Sequence, residues 1–571
     1  MGDISAKAYV SLRKAIDQAK QILTFLDKAD EITRLQNAIQ VAEQTYENRD
    51  LTLTQINAAT TTLTTTTRSV GKKIYVPGWM MGDVYNPTNN WSIERSKQSK
   101  NWILFWEPGF GDNPGTAIDD CLALAEKAFA FYADSLKFIT RGASKTDTYK
   151  MIIRYRFSTE WEATGSGVDN TIGLLTLTPW AMSSRGGQTV AHEVGHCFQY
   201  QVHCDNNDNN GWMYGFGSNG SGSNGFWEMC AQWQAYKVFP NDQFNNEWFN
   251  GYLAAAHKHP LHEAPRYNNF FIQDYWTYLH GMDMIGRLWN KSYFPEDPIE
   301  AYKRITSVTQ SVFNDQMWDC AARFTTWDIP ALKTRGAAYI QTRTQPKFKS
   351  MGSNVWRIDS TACPENYGHN IIRLNAPLKA TTVTAHFEGL AGIAGYRKLN
   401  VASAGWRIGF VALLKDGSRV YGNADAVSMS SNAGKMSVSF ECPANCDKLW
   451  FVVSGAPAGH WRHAWDDNDA NDEQWPYQVS FVNTNLQGYA NVINGIDDNQ
   501  LIEWNAQVQQ RNLSVTNLPE FATVKVVDVF GRMIAEEKAE NKEFNTALAQ
   551  GVYIVVVESA SGIQTQKIIV R

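Results

Sequence analysis

Apolar positions repeat at helical spacing in two runs near the start of the chain: Leu12, Ile16, Ala19, Ile22 and Leu23, then Ile32, Leu35, Ile39, Ala42 and Tyr46. Positions three and four apart share one face of a helix, so each run predicts an amphipathic helix with one buried stripe. A third run, from Leu53 to Val70, is Thr-rich and a poor helix former, although Leu51, Leu53, Ile56 and Leu63 could still pack. Three short helices predict a small bundle over residues 1–72. From Lys73 the pattern shifts to short apolar stretches at 74–76, 102–106, 151–157 and 172–177, which read as strands between Gly and Pro clusters. Residues 117–131 read as a long amphipathic helix, and the stretch up to about Tyr339 as mostly helical. Together they predict an α+β domain over 73–345. Beyond Met351, strands and turns alternate at 355–358, 381–387, 406–414, 436–440, 449–454 and 477–482, the pattern of a β-sandwich over 346–486. A second sandwich is expected over 491–571. The expected fold class is multidomain α+β: a helical bundle, a mixed domain, then two β-sandwiches.

A chain of 571 residues is too long for one hydrophobic core, which agrees with this division. The net charge of −5 and the lack of a long basic stripe argue against nucleic acid as a partner. No stretch of about 18 apolar residues exists, so no membrane span is expected. The first residues, Met1-Gly2-Asp3, lack the basic start and apolar run of an export signal, and Met1-Gly2 reads as a replacement for one. The eight cysteines include no C-x-x-C pair, which excludes a cysteine zinc ribbon; Cys442 and Cys446 are close enough to bridge locally. Two terminal patterns resemble known modules. The helical spacing over 1–72 resembles the FIVAR-type modules of bacterial surface enzymes. The ending, with the run from Val524 to Met533, then Gly551-Val-Tyr-Ile-Val-Val-Val and Lys567-Ile-Ile-Val570, resembles the C-terminal sorting domain of proteins exported by the type IX system of Bacteroidetes. That resemblance implies a secreted or cell-surface protein.

The chemistry concentrates at Thr189-Val-Ala-His192-Glu193-Val-Gly-His196. Histidines four apart on a helix face the same way and can reach one ion, and the Glu after the first lies beside that face. There it can take a proton from a metal-bound water. Three neighbours strengthen the pattern. The apolar strand 171–178 precedes the motif and is expected to be the edge strand that pairs with an extended substrate. Glu228, near the start of the helix beginning Phe226-Trp-Glu, could complete a two-His, one-Glu site with the fourth position left for water. A further amphipathic run follows over 271–289. Gln232, one turn after Glu228, is placed to hold a ligand histidine. Electrophilic help for an oxyanion is expected from His262 or Tyr267, with Tyr267 favoured. The bland alternative for His192 and His196 is a pair of helix histidines satisfied by core hydrogen bonds. For Glu228 it is a helix N-terminal carboxylate favoured by the dipole.

Residues 73–340 resemble the gluzincin clan of metallopeptidases. The resemblance implies His192, His196 and Glu228 as zinc ligands and Glu193 as general base. One departure is the Asn/Gly-rich loop 205–225, which lengthens the His196-to-Glu228 spacing and reads as a lid or a substrate-binding surface. The expected function is a secreted zinc endopeptidase acting on extracellular protein or glycoprotein. The alternative is a surface glycan-binding protein, motivated by the aromatic-rich tail after residue 345, with a structural or degenerate metal site. Trp461, Trp465 and Trp475 are the candidate glycan platform, or sandwich core instead. The acidic run from Asp466 to Glu473 offers the hard oxygens that Ca2+ takes, with a solvated loop the equal alternative.

Overall fold

The structure, a computed structural model, describes residues 2–206, 225–293, 295–491, 504–539, 542–559 and 562–571. The chain divides into two compact units, Met1–Asn491 and Val492–Arg571. The loop expected to act as a lid lies almost wholly outside the described residues.

The first unit opens with α1 (Gly2–Leu23), α2 (Ala29–Glu47) and α3 (Leu53–Arg68). Leu12, Ile16, Leu35, Ile39, Ile56 and Leu63 meet in one core, so the apolar stripes pair as their spacing dictates. The Thr-rich third segment folds as a helix against its low propensity for two local reasons. Thr52 and Gln55 close a capping box at its start. Thr60, Thr66 and Thr67 turn their hydroxyls onto carbonyls one turn earlier, which satisfies them within the helix.

Next comes a mixed sheet of β1 (Lys73–Ile74), β2 (Ser96–Gln98), β3 (Trp102–Trp106), β4 (Tyr149–Tyr155), β5 (Ala163–Val168) and β6 (Ile172–Leu177). Its order is β2-β3-β4-β6-β5, with β1 paired to β4. Strands β3, β4 and β6 run parallel and β5 returns antiparallel to β6. This corrects the sequence-based expectation: 172–177 is an inner strand, fully buried, and the edge strand is β5, which the apolar pattern does not reveal. Against the sheet pack α4 (Ala117–Ala130) and α5 (Gln188–Asp205), with α6 (Phe226–Val238) crossing α5. The core beneath is large and aromatic, with Trp102, Phe129, Tyr132, Phe198, Trp233, Trp276 and Trp289 all fully buried or nearly so.

The following sandwich has one sheet ordered β14-β10-β16-β8-β7 and another ordered β12-β11-β15-β9, with β13 on β11. The ranges are β7 (Phe348–Ser350), β8 (Trp356–Ile358), β9 (His369–Leu374), β10 (Thr381–Gly389), β11 (Gly405–Leu414), β12 (Arg419–Tyr421), β13 (Asp425–Ser428), β14 (Lys435–Cys442), β15 (Cys446–Gly455) and β16 (Tyr477–Val482). Trp406, Trp475 and Tyr477 fill its interior and Trp461 packs against it, so the aromatic tail largely serves the core. The outer face of β9, β11 and β15 is covered by α7 (Gln310–Phe324), whose Trp318, Ala321 and Ala322 meet Ile371, Val411 and Trp450. The α/β part and the sandwich therefore form one compact unit. All eight cysteines are buried thiols.

The second unit is antiparallel throughout, with one sheet ordered β17-β18-β21 and one ordered β20-β19-β22-β23. Its strands are β17 (Asn505–Gln509), β18 (Asn512–Thr516), β19 (Thr523–Asp528), β20 (Met533–Lys538), β21 (Glu543–Ala547), β22 (Gly551–Ser559) and β23 (Gly562–Val570). Alternate residues such as Leu513, Val515, Val524, Val526, Val555 and Val557 point into a small core, as a half-buried sheet requires. Among the described residues no helix is long and apolar enough to cross a membrane.

Candidate metal centre

Helix α5 starts after a tight left-handed turn, with Arg185, Gly186 and Gly187 at φ of 53, 62 and 94°. It is buried on almost every side and so suits the middle of the fold rather than its surface. Gly195 lets it cross α6 closely: a Cβ there would lie 3.2 Å from Ala231 Cα and 3.0 Å from Gln234 Oε1. On its other side, glycines admit it to the sheet. A Cβ on Gly165 would lie 2.2 Å from the Glu193 carbonyl oxygen, and one on Gly173 would lie 2.8 Å from Cys197 Cβ. The motif helix is thus held at near-backbone distance from the edge strand.

The i, i+4 spacing brings the His192 and His196 rings to 4.7 Å apart. Glu228, on the first turn of α6, points its Oε2 at both: 3.0 Å from His192 Nε2 and 3.3 Å from His196 Nε2. The other ring nitrogens are held by glutamines. His192 Nδ1 lies 3.0 Å from Gln232 Oε1, and His196 Nδ1 lies 2.9 Å from Gln199 Oε1. An amide oxygen only accepts, so each Nδ1 carries the proton and each Nε2 turns its lone pair toward Glu228. Gln199 in turn donates to the Trp227 carbonyl and to Gln234, and the Trp227 indole stacks on His196 at 4.7 Å. A buried network of Asp274 with Trp233, Lys237 and Gln243 anchors α6 below the site. Two imidazole Nε2 atoms and a carboxylate oxygen thus converge, which in the neutral tautomers is the donor set of a divalent first-row cation and fits zinc. The sequence points to Gln232 as a histidine holder. It gives no such sign for Gln199, although that residue lies three positions from His196 on the same helix.

Glu193 is 5% exposed and borders the same cleft. Burial raises its carboxyl to about 7, with Glu228 adding to the rise and His192 and the Gly165 N–H opposing it. Burial would also raise Glu228, but the two imidazoles outweigh it and hold that carboxyl well below the usual range. The Glu193 shift has a stability consequence. The folded metal-free protein keeps this proton up to about 7 while the unfolded chain releases it near 4.5, so stability falls as pH rises through that window. Glu193→Gln removes the loss. Unfolding of chelator-treated protein at pH 5 and pH 8 will show the variant gaining on wild type by about 3 kcal/mol over that interval.

The cleft holds about 570 Å3 and is lined by Trp161, Ala163, Thr164 and Gly165 on one side and by Arg185, Trp248 and Tyr267 on the other. The Tyr267 ring lies 6.3 Å from the His192 ring and lines the cleft beside Glu228. Burial and then the Glu228 charge raise its hydroxyl above a normal phenol, so it stays a donor. The other oxyanion candidate, His262, is not here. It is 1% exposed in a separate chamber beside His463 and Asp472, because the turn after Pro260 carries it toward the sandwich. Tyr275, further along the chain, does not line the cleft and donates to Asp319 at 2.8 Å. Two acids of the run, Asp469 and Asp472, meet at His262 Nε2, at 3.4 and 3.2 Å, and Glu473 turns elsewhere. Asp469 pairs with Lys258, Asp472 with His262 and His463, and Glu473 accepts from Trp461 and Asn400.

No curated protein matches the sequence. Among solved structures, the type IX secretion component PorZ of Porphyromonas gingivalis is 12% identical over 28% of this chain and 30% of its own, with a TM-score of 0.12. A β-glucuronidase of Ruminococcus gnavus, solved with a uronic isofagomine, is 10% identical over 36% of each chain, with a TM-score of 0.13. The chain thus spans about a third of the length of each. Residues 505–571 match a secretion system C-terminal sorting domain, which marks an exported protein, secreted or held at the cell surface. Residues 66–488, which include the candidate metal centre and the sandwich, match a family of unknown function (DUF6055), and the chain belongs to that family.

Proposed function

We propose that this protein is an exported, gluzincin-like zinc metallopeptidase that cleaves peptide bonds in extracellular proteins or glycoproteins. The observation that carries this reading is the convergence of His192 Nε2, His196 Nε2 and Glu228 Oε2 in an open cleft, with the buried carboxyl of Glu193 beside them. Zinc held by those three residues would supply a Lewis acid that polarises a carbonyl and lowers the pKa of water to about 7. The rest falls to the chain itself. Glu193 takes a proton from the attacking water and returns it to the leaving amine. Tyr267, kept protonated by its surroundings, donates to the oxygen that gains charge. Strand β5 pairs only with β6 among the described residues, and Ala163 to Gly165 line the cleft. An extended substrate can add to that free edge and be held at full length across the site.

The test is elemental analysis of the purified chain beside Glu228→Ala. One equivalent of zinc at this centre, lost in the variant on dialysis, together with zinc-dependent cleavage of a peptide library, supports the reading. Full zinc retention in Glu228→Ala, or a zinc-loaded wild type that cleaves no peptide, overturns it.

A further inference from the structure

A second convergence of donors lies in the first unit, between the segment after Ala255 and the loops of the sandwich. His262 and Glu263 come from the α/β side; Glu365, His463 and Asp472 come from loops flanking β9 and β15. His262, Glu365 and His463 each present a ligand atom, all within 4.8 Å of one another, and all three residues are buried. The His262 and His463 ring centroids are 4.9 Å apart. His463 Nδ1 lies 2.6 Å from the Ala464 carbonyl and so donates to it. Its Nε2 then faces Asp472 Oδ1 at 3.1 Å, and two lone pairs cannot meet at that distance without a positive charge between them.

A proton on His463 answers that contact and sets an imidazolium 3.7 Å from Glu263 Oε2, yet it gives Glu263 no hydrogen bond. Glu263 is 2% exposed and neither of its carboxylate oxygens has a hydrogen-bond partner. Its Oε2 lies 3.5 Å from His262 Nδ1, which accepts from the Ala264 N–H, and 3.7 Å from His463 Nδ1, so it borders both rings on the side away from their Nε2 atoms. A buried carboxylate without a hydrogen-bond partner is costly unless a cation compensates it. The competing cations are Arg397, 3.9 Å from Glu365 Oε1, and Lys258, whose Nζ is 2.9 Å from His262 Nε2. Lys258 also reaches Asp469 at 3.2 Å, a partner it can keep if His262 turns to another ion. It does not donate to Glu263, both of whose oxygens stay unpaired.

We propose that this chamber is a second, structural divalent-cation site of the zinc class, with donors drawn from His262, His463, Glu263, Glu365 and Asp472. Imidazole with carboxylate favours a first-row ion over calcium, which takes oxygen ligands. Such an ion ties the α/β part to the sandwich at a point where both contribute buried charge.

The experiment uses the full chain with His192→Ala and His196→Ala, which removes the first centre, and Zn2+ alone as probe. After loading and dialysis this variant retains one equivalent of zinc, and zinc raises its Tm by several degrees over chelated protein. Adding His463→Ala abolishes both effects. Should that variant fail to fold, Glu263→Gln in the same background weakens zinc binding at least tenfold. Lys258→Met leaves zinc binding equal or tighter. A double-histidine variant that binds no zinc, or one in which neither His463→Ala nor Glu263→Gln changes binding, overturns the proposal and assigns the charge balance to Lys258 and a protonated His463.

Discussion

Glu193→Gln will retain zinc as wild type does and will cleave peptides about 10²–10⁴-fold more slowly, the range for loss of a positioned general base. The reasoning separates metal binding from proton transfer. Glu193 is not among the three groups that converge; His192, His196 and Glu228 are, and the amide leaves their distances and their glutamine partners untouched. The amide is also nearly the same shape, so its oxygen can still accept from the Gly165 N–H that now meets the carboxylate. What disappears is, among the described residues, the carboxyl at the cleft that stands outside the three-donor set and can take a proton and give it back. The loss will fall on kcat, with substrate binding along the edge strand little changed. The measurement is steady-state cleavage of a peptide found by library screening, beside zinc content from the same preparation. A variant that keeps its zinc and works within a few-fold of wild type removes Glu193 from the proposed role.

The part of the site that is legible in the sequence is the part carried by a period. His192 and His196 are four apart, and a helix turns that number into a shared face. Gln232 is four after Glu228, and the same arithmetic places it at His192 Nδ1. Gln199 obeys a comparable rule from His196, but nothing in the sequence marks it as a polar group in a buried setting. The two oxyanion candidates are not separable by any such rule. His262 and Tyr267 are five residues apart in one loop, and tertiary packing sends one to the sandwich and the other to the cleft.

The edge strand escapes the sequence for a physical reason. Ala163-Thr-Gly-Ser-Gly-Val168 has two glycines in six residues, and glycine weakens a strand's signal as it weakens the strand itself. Its neighbour Ile172–Leu177 has every residue buried, so its apolar run reads as the working edge when it is the strand beneath it. The Thr-rich third helix defies propensity in the same way and is rescued by capping and back-bonded hydroxyls. Domain boundaries are readable as changes of period. The joining of bundle, α/β part and sandwich into one unit is not, since it rests on side chains such as Trp318 and Trp450 that are far apart in sequence.

Those glycines give the second large effect. Gly165→Ala will unfold several degrees below wild type and will hold zinc markedly less tightly, although it removes no ligating atom. The added Cβ would stand 2.2 Å from the Glu193 carbonyl oxygen, 2.9 Å from its carbon and 2.8 Å from His196 Cβ. The first two obstacles are backbone, so no rotamer change relieves them; strand β5 or helix α5 has to move. Overpacking of this kind costs about 1–3 kcal/mol, and more where backbone must shift. The helix cannot retreat freely, because Gly195 already sets it close against Ala231 on the far side. A displacement of a few tenths of an ångström therefore falls on the turn that carries Glu193 and His196, and it changes their aim relative to Glu228. Gly78→Ala is the control, since nothing lies within 4 Å of the position its methyl would take and the change adds only helix propensity. Thermal unfolding with and without chelator, and competition for zinc against a calibrated chelator, measure both effects. If Gly165→Ala matches the Gly78 control in Tm and in zinc affinity, the close strand–helix contact does not position the metal ligands. If both fall together, the small residues of the edge strand are part of what builds the centre, since they let a helix bearing His-Glu-x-x-His lie against the strand proposed to receive the substrate.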